Sequence, residues 1–237
     1  MKTVAIIQSS YIPWKGYFDI IHQVDEFILY DDMQYTRRDW RNRNLIKTPK
    51  GTEWITIPVD VKGKFTQKIK DTCIVGSEWT ISHWNSIQAK YAKAPHFRMH
   101  SDLIESIYKQ AASERYLSRV NYLFLKNLCD FFGISTSISW SMDYDLVEGK
   151  TERLVGLCRS SGATQYLSGP AAKNYIESDL FKAADIDLIW ADYRGYPEYP
   201  QCFPPFEHGV TILDLLFHVG PEAPWYIWGW RSGAQRK

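Results

Sequence analysis

Two adjacent carboxylates, Asp31 and Asp32, follow the apolar run Phe27 to Tyr30, which is typical of a buried strand. Side chains at that point emerge at the carboxyl end of a strand, where open α/β sheets place ligand-binding loops. A carboxylate pair there can hold Mg²⁺, orient a sugar hydroxyl or act as a general base. In the other interpretation, one carboxylate caps the following turn and the other is solvated. We predict a catalytic role for Asp31 and Asp32.

A basic and aromatic segment follows the aspartates and reads MQYTRRDWRNRN over residues 33–44. Its arginines are Arg37, Arg38, Arg41 and Arg43. A guanidinium group can bind two oxygens of a phosphate or carboxylate, and asparagine can hydrogen-bond sugar hydroxyls or base edges. The alternative is a solvated charged loop. We favour a diphosphate-binding surface, because solubility does not explain the stacking ring of Trp40 among the arginines.

A second candidate loop, QSSYIPWKGY over residues 8–17, comes directly after the first apolar strand. That position places it at the same edge of an α/β sheet as the two aspartates. The two loops together predict a substrate site. Its expected contact residues are Gln8, Tyr11, Trp14, Tyr17, Gln34, Tyr35, Arg38, Trp40, Arg43 and Asn44.

The elements that must position these residues are those of an α/β fold. Residues 3–7 and 27–30 are short apolar runs typical of covered strands, and a turn and a short helix join them. Alternating apolar residues over 54–59 follow the turn 49–51, and this pattern predicts a hairpin added antiparallel to the sheet.

Helical spacing replaces the strand pattern from residue 79 to residue 132, and Gly133 is placed to end the last helix. Beyond it the pattern predicts strands over 134–140, 165–167 and 186–190, helices over 151–158 and 211–219, and a frayed tail over 233–237. We therefore predict one α/β domain over 1–237. It has a mixed, mainly parallel sheet with an antiparallel hairpin addition and a helical insertion at about 79–132.

Composition narrows the classes of ligand and function. The chain has 10 Trp and 15 Tyr among 237 residues, and flat rings with polar edges suit sugars and bases. A net charge of +1 opposes a general nucleic-acid coat, which needs a broad basic field. The N-terminal apolar run is too short for a signal peptide, and no run has the length of a membrane span. We expect a cytoplasmic protein.

The cysteines and histidines predict no metal site. The four cysteines lie far apart and form no C-x-x-C pair, so we interpret them as reduced, partly buried thiols. They are Cys73, Cys129, Cys158 and Cys202. The spacing of His83, His96 and His100 matches no familiar ligand set.

Two weaker candidates lie in the second half of the chain. Ser168 and Gly169 follow a predicted strand and precede Pro170. Main-chain N–H groups there could bind an anion, although ordinary helix initiation explains the same residues. Asp214 and His218 are four residues apart on a predicted helix and could form an acid–base pair. A capping box that includes Asp214 is the stronger explanation.

Ordered motifs recur along nearly the whole chain. They are Q-x-x-Y-x-P-W-x-G-Y-F from Gln8, D-D-x-Q-Y from Asp31, R-x-W-x-N-R-N from Arg38 and I-K-T-P-x-G from Ile46, followed by Trp79, His83, 91–95, 166–169 and 212–216. With these motifs, the chain resembles the WbqC-like family of bacterial proteins.

The resemblance implies a role in O-antigen and other surface-polysaccharide synthesis, where attachment of glycine to an amino sugar has been proposed for some members. A nucleotide-linked amino sugar would bring a diphosphate for arginines, hydroxyls for Asp and Asn, and flat faces for Trp. The expected function is N-acylation of such a sugar from a small acyl donor, with Asp31, Asp32 and His83 as catalytic residues. The alternative is a non-catalytic sugar-nucleotide or glycan binding protein of the same pathway.

The chain departs from the family pattern at three places that bear on the chemistry. Ile7 stands where many relatives carry His, Ser9 and Ser10 replace Asn-Pro-type residues, and His218 replaces Asn. A catalytic role of the missing histidine therefore cannot be transferred. No G-x-x-x-x-G-K-[ST] loop is present, so the acyl donor stays open: ATP with Mg²⁺, an aminoacyl carrier and a thioester all fit.

Overall fold

A parallel β-sheet covered on both faces forms the centre of the molecule in a computed structural model that describes residues 1–232. The strands of this part are β1 (Thr3–Ile7), β2 (Glu26–Leu29), β3 (Arg43–Thr48), β4 (Gly51–Thr56), β5 (Ser137–Trp140), β6 (Gln165–Ser168) and β7 (Asp187–Trp190). Five of them form the parallel sheet, in the order β5-β2-β1-β6-β7. The predicted α/β class is therefore confirmed.

The helices cover both faces of this sheet. They are α1 (Lys15–His22), α2 (Glu78–Tyr91), α3 (Phe97–Ala111), α4 (Leu117–Phe132), α5 (Thr151–Ser160), α6 (Ser178–Lys182), α7 (Ile212–Val219) and α8 (Ala223–Ile227). The predicted central helical block is thus present as α2, α3 and α4. The expected frayed tail, 233–237, lies outside the described residues. None of the described helices combines the length and apolar character needed to cross a membrane.

Alternation along β1 explains why its run is apolar throughout. Val4 and Ile6 belong to an apolar cluster shared with α5 and α6, whereas Ala5 belongs to the larger cluster shared with α1 and the helical block. A strand whose two faces are both covered by helices needs apolar residues at every position. In α4, Leu117, Val120 and Phe124 are fully buried at helical spacing.

The hairpin differs from the expectation in its placement. β3 and β4 pair antiparallel from Arg43 opposite Thr56 to Thr48 opposite Gly51, but they form a separate two-stranded sheet and do not extend the parallel one. The hairpin is held by other elements. The amide of Thr211 donates to the carbonyl of Leu45 at 2.9 Å. The alternating pattern predicted that the two strands pair with each other. The neighbours of the hairpin depend on tertiary contacts, which the pattern does not contain.

The strand order reverses beside β1. The chain runs from β1 to β2 and β5 on one side, then returns to β6 and β7 on the other. Loops after β1 and β6 therefore diverge at the carboxyl end of the sheet, and this is the point where open α/β sheets leave a crevice for ligands. The loop of residues 8–14 and the turn at Ser168 and Gly169 lie at this point.

Candidate functional site

A cavity of about 310 Å³ opens at the carboxyl end of β1. Its walls include Ile7, Trp14, Tyr17, Trp40, Arg41 and Asn44. The lining combines aromatic faces with one guanidinium and one amide. Such a mainly apolar, concave site with a few polar groups is the usual form of a small-molecule site. We call it the aromatic cavity.

Trp14 owes its position in the aromatic cavity to Gly16. A Cβ atom at residue 16 would lie 2.3 Å from Cζ2 of the Trp14 ring, so a glycine is required for the ring to fold back over α1. The same ring makes edge contacts with Tyr193 and Tyr196, at centroid distances of 5.1 and 5.8 Å. The tyrosines that follow β7 therefore support the cavity wall from behind.

The loop after β1 is held by buried polar groups. The main-chain N–H of Ser9 donates to Asp31 at 2.8 Å, and the hydroxyl of Ser118 donates to the other oxygen of the same carboxylate. The side-chain amide of Asn121 donates to the Ser9 hydroxyl at 2.9 Å. Burial raises the pKa of Asp31, while the bonds from Ser118 and Ser9 oppose that shift. Asp31 therefore fixes the loop to α4.

Asn44 holds the next part of the loop. Its side-chain amide donates to the carbonyls of Tyr11 and Ile12, at 3.0 and 2.8 Å. Ile12 has a φ of 41°, a left-handed conformation that a β-branched residue rarely adopts. Such strain persists only where the surroundings hold it, and it is concentrated at ligand sites. The loop is thus preformed beside the aromatic cavity.

Arg41 is the cation of the aromatic cavity. Its side chain is 11% exposed, Nη1 donates to the carbonyl of Ser9 at 3.0 Å, and Nε lies 3.6 Å from the Asp39 carboxylate. Nε has no hydrogen-bond partner among the described residues. Sequence reasoning named this arginine in the basic segment but omitted it from the site. Since all four arginines share that segment, only the fold shows which one faces inward.

Arg38 and Arg43 line a neighbouring groove, which we call the arginine groove, together with Tyr35 and Arg37. Within residues 1–232, none of the three guanidinium groups has a carboxylate within 4.0 Å. The Arg43 guanidinium lies 3.9 Å from the centroid of the Trp54 ring, a stacked cation–π contact. Arg37 and Arg43 each donate to a main-chain carbonyl, and the groove presents three guanidinium groups that could bind an anion.

Trp40 and Trp54 form an aromatic ridge between the two concave surfaces. Their ring centroids are 5.1 Å apart, and the two side chains are 41% and 40% exposed. Trp40 also lines the aromatic cavity, and Trp54 carries the stacked guanidinium of the arginine groove. A flat group can therefore lie across the ridge while its two ends occupy the two surfaces.

Asp32 is also buried, but it bonds to a different set of groups from Asp31. It accepts hydrogen bonds from Lys70 at 2.9 Å, from Lys68 at 3.2 Å and from Ser141 at 3.0 Å. Burial opposes ionisation of this carboxyl, but the bonds from Lys70, Lys68 and Ser141 outweigh it and lower the pKa. With each carboxylate already bonded to different protein groups, Asp31 and Asp32 do not converge on one Mg²⁺ position.

His83 lies in the apolar interior. Its Nδ1 is 2.9 Å from the Tyr11 hydroxyl, which in turn lies 2.7 Å from the Tyr108 hydroxyl. Burial lowers the pKa of His83 to about 4, against a smaller opposing effect of a bond to the Thr56 main chain. Neither His83 nor Tyr11 lines the aromatic cavity or the arginine groove. The structure therefore places the three predicted catalytic residues in the framework around the cavity.

The remaining predicted contact residues divide between the cavity and its surroundings. Tyr17 lines the cavity, and its hydroxyl donates to the carbonyl of Gln8 at 2.9 Å. Gln34 is exposed and donates to the carbonyl of Phe65. Ser168 is buried at the end of β6, and Gly169 faces the hydroxyl of Tyr193.

Asp214 is the centre of a separate buried polar cluster. Its carboxylate accepts hydrogen bonds from the hydroxyl of Tyr91 at 2.9 Å, from the hydroxyl of Tyr199 at 2.6 Å and from the amide of Gln201 at 2.7 Å. Nδ1 of His218 lies 3.6 Å from the same carboxylate. The predicted pairing of Asp214 with His218 on one helix face is therefore present, but the segment 197–209 covers it.

Lys15 lies beneath the same segment. Its ammonium donates to the carbonyl of Pro197 at 3.1 Å and lies 5.1 Å and 5.4 Å from the ring centroids of Tyr196 and Tyr199. Burial lowers the pKa of Lys15 to about 8, although the charges of Asp214 and Glu198 oppose the shift. Nothing in the sequence distinguished this lysine from the other lysines of the chain.

No cluster of three or more His, Cys, Asp or Glu side chains suited to a metal ion occurs in the part of the chain that the structure describes. The site is thus an α/β crevice with an aromatic cavity, a buried arginine and an adjoining cationic groove. Proteins of this architecture bind small organic ligands at the strand ends.

The comparisons with known proteins agree with the motifs. The model of the WbqC-like protein family matches residues 8–226, and the chain belongs to that family. It is 52% identical over 227 residues to the uncharacterized protein Rv1507c of Mycobacterium tuberculosis, covering 96% of this chain and 98% of that protein. No solved structure matches the chain.

Proposed function

We propose that the protein is an enzyme of bacterial surface-polysaccharide synthesis that N-acylates a nucleotide-linked amino sugar with an amino acid such as glycine. The observation that carries the proposal is the pairing of the aromatic cavity with the arginine groove across the Trp40–Trp54 ridge. A nucleotide sugar has the matching parts: a ring with hydroxyls, two phosphates and a flat base.

The sugar, the phosphates and the base of such a ligand can each be matched to one part of the candidate site. Rings of Trp14 and Tyr17 suit the faces of a sugar, and the side chain of Asn44 lies in the same wall. Arg41 at the cavity can hold the phosphate nearest the sugar, with Arg38 and Arg43 holding the next phosphate in the groove. The base stacks on the exposed rings of the ridge. Such a substrate places the proposed enzyme in the cytoplasm.

The chemistry requires an uncharged sugar amine and an activated acyl donor. Asp31, Asp32 and His83 are all bonded within the framework, so we assign them to positioning loops and core. The amine must lose its proton to another group. The carboxylates of Asp31 and Asp32 do not converge on one position where Mg²⁺ could bind. They therefore give no support to ATP with Mg²⁺ as the activating agent.

The proposal is tested first by binding. Arg41→Ala should weaken the affinity for a nucleotide-linked amino sugar about 10- to 100-fold, because a charge-assisted hydrogen bond contributes roughly 1.5–3 kcal/mol. The affinity for the free amino sugar should change less than about threefold. The matched control is Arg159→Ala, which removes an exposed arginine of α5 that lines neither surface. If Arg41→Ala weakens the affinity for both ligands equally, Arg41 does not bind a phosphate of the nucleotide sugar.

Catalysis is tested by product mass. The protein is incubated with nucleotide-linked amino sugars and with glycine plus ATP and Mg²⁺, glycyl thioester or glycyl-tRNA. The sugar should gain one glycyl group with one of the donors. If the sugars bind tightly and none gains mass with any donor, the transferase proposal fails.

A non-catalytic binding protein of the same pathway is the second candidate. It is favoured by the observation that Asp31, Asp32 and His83 all have partners within the protein. Asp32→Asn distinguishes the two roles of this carboxylate. Loss of turnover at unchanged affinity and stability would mean that Asp32 acts in catalysis. Unchanged turnover supports its role as a framework residue that pairs with the lysines.

A further inference from the structure

The loop after β1 carries two adjacent buried serines, Ser9 and Ser10, that the fold uses differently. The N–H of Ser9 donates to Asp31, and its hydroxyl accepts the side-chain amide of Asn121 at 2.9 Å. Ser10 lines the aromatic cavity, and its hydroxyl makes no hydrogen bond with the other described residues. Buried polar groups normally have partners, so a hydroxyl that lines a cavity without a protein partner is available to a ligand.

Arg41 is the second polar side chain of the cavity wall with an unused group. Its Nη1 donates to the carbonyl of Ser9 at 3.0 Å, which places the guanidinium beside the peptide that links Ser9 to Ser10. Nε is buried and lies 3.6 Å from Asp39, whereas Nη2 makes no hydrogen bond within residues 1–232. Nη2 and the Ser10 hydroxyl are thus two free groups on one side of the loop.

The other polar side chains of the cavity wall are occupied or can only donate. The side-chain oxygen of Asn44 accepts a main-chain N–H at 2.7 Å, and its amide donates to two main-chain carbonyls of the loop. The Tyr17 hydroxyl donates to a main-chain carbonyl at 2.9 Å. The indole N–H groups of the two cavity tryptophans are donors, as is the Arg41 guanidinium. The wall therefore suits a ligand group that accepts hydrogen bonds.

The charge of the wall indicates the same kind of group. Arg41 is the one charged side chain among the described residues that line the cavity. Asp31 bonds to Ser9 and Ser118 behind the loop, and Asp39 does not line the cavity. An anionic oxygen in this mainly apolar site is attracted by the guanidinium more strongly than in water. It also gains charge-assisted hydrogen bonds.

We propose that Ser10 is a specificity-determining residue whose hydroxyl, together with Nη2 of Arg41, binds one anionic oxygen group of the ligand, a phosphate or a carboxylate, inside the aromatic cavity. The identity of the whole ligand rests on the proposed function, in which this group is the phosphate next to the sugar. A carboxylate on the sugar or on the acyl donor is the other source of the same chemistry.

The two serines provide a matched pair of variants for a test that needs no ligand. Ser10→Ala removes a hydroxyl without a protein partner, so the melting temperature should stay within about 1 °C of the unmodified protein. Ser9→Ala removes the acceptor of the Asn121 amide and should lower the melting temperature by roughly 2–4 °C. If both variants lose the same stability, the Ser10 hydroxyl is a structural group and the proposal is overturned.

Small anions test binding without an assumption about the sugar. Sodium acetate and inorganic phosphate are titrated against sodium chloride at equal ionic strength, and the rise in melting temperature gives an apparent affinity. Ser10→Ala and Arg41→Ala should each weaken the affinity for one of the two anions about 3- to 10-fold, whereas Arg159→Ala should not. A response to acetate identifies a carboxylate site, and a response to phosphate identifies a phosphate site. Binding in the arginine groove is unaffected by Ser10→Ala and appears equally in both proteins.

The third probe is a uridine diphosphate-linked 2-amino sugar, compared with the free amino sugar. Ser10→Ala should weaken the affinity for the nucleotide sugar about 3- to 10-fold and leave that for the free sugar unchanged. If the small anions respond to Ser10→Ala but the nucleotide sugar does not bind, the inference stands and the proposed function is wrong. If Ser10→Ala changes the affinity for none of the three probes, the inference is overturned, and tight binding of the nucleotide sugar then leaves the proposed function standing.

Discussion

Acid should destabilise this protein through one buried histidine, His83. The neutral imidazole is held by the Tyr11 hydroxyl and the Thr56 main chain, and burial lowers its pKa to about 4 from the ordinary value of 6.5. The unfolded chain binds a proton near pH 6.5, and the folded protein resists binding it. Stability linked to His83 is therefore complete above pH 6.5 and is lost as the pH falls toward 4.

The size of the effect follows from the two pKa values. A tenfold difference in proton affinity corresponds to about 1.4 kcal/mol, so pKa values of 6.5 and about 4 give about 3 kcal/mol in full and roughly 2–3 kcal/mol from pH 7.5 to pH 4.5. In a chain of this length, that loss lowers the melting temperature by roughly 5–10 °C. The side chain is only 7% exposed, so solvent screening removes little of it.

The assay compares urea unfolding of the unmodified protein and His83→Gln at pH 7.5 and pH 4.5. Other groups titrate in this range, including His22 and His100, whose pKa values are also lowered by burial. Their effects appear in both proteins and cancel in the difference. The unmodified protein should lose about 2 kcal/mol more than the variant. An equal loss in both proteins would refute the neutral, buried state of His83.

Three further substitutions test the framework of the site. Gly16→Ala places a Cβ 2.3 Å from the Trp14 ring, so the ring must leave the cavity wall. We expect a shifted tryptophan emission spectrum and about tenfold weaker binding of a nucleotide sugar. Asp32→Asn removes a carboxylate paired with partly exposed lysines, and unfolding at pH 7 should be about 1 kcal/mol easier. Because the pKa of Asp32 is lowered, this difference should disappear as the pH falls below about 4. Asp214→Asn disturbs a buried carboxylate with three donors, and calorimetry should show a melting temperature lowered by roughly 4–8 °C.

Each of these results has a contrary outcome. An unchanged emission spectrum in Gly16→Ala would mean that Trp14 does not fold back over α1. A stability difference in Asp32→Asn that does not begin to shrink as the pH falls below about 4 would show that the lysine pairs do not account for it. An unchanged melting temperature in Asp214→Asn would mean that the Asp214 carboxylate does not stabilise the buried polar cluster.

Local sequence patterns predict the class of fold and which loops lie at the carboxyl ends of the strands. Apolar runs at 3–7 and 27–30 indicated covered parallel strands, because helices on both faces of a sheet leave no polar position. The loop after the first strand and the basic segment were both expected at the strand ends. Both lie at the aromatic cavity. These features are local, since chain order and periodicity fix which loops follow which strands.

Only packing determines which side chains face the aromatic cavity and which face the arginine groove. Arg41 turns into the cavity while Arg38 and Arg43 line the outer groove, although all three belong to one segment with the same chemistry. Which way an arginine points depends on its partners, and the Ser9 carbonyl that holds Arg41 lies 32 residues away in the chain.

The same limit applies to the acidic residues and to His218. Asp31 and Asp32 are adjacent in sequence, yet one bonds to α4 and the other to Lys70. Cys202 and His218 are joined only because the segment 197–209 folds back over α7. Residue type and spacing along the chain determine what a side chain can do. Its neighbours come from distant segments brought together by packing, so they determine what it does.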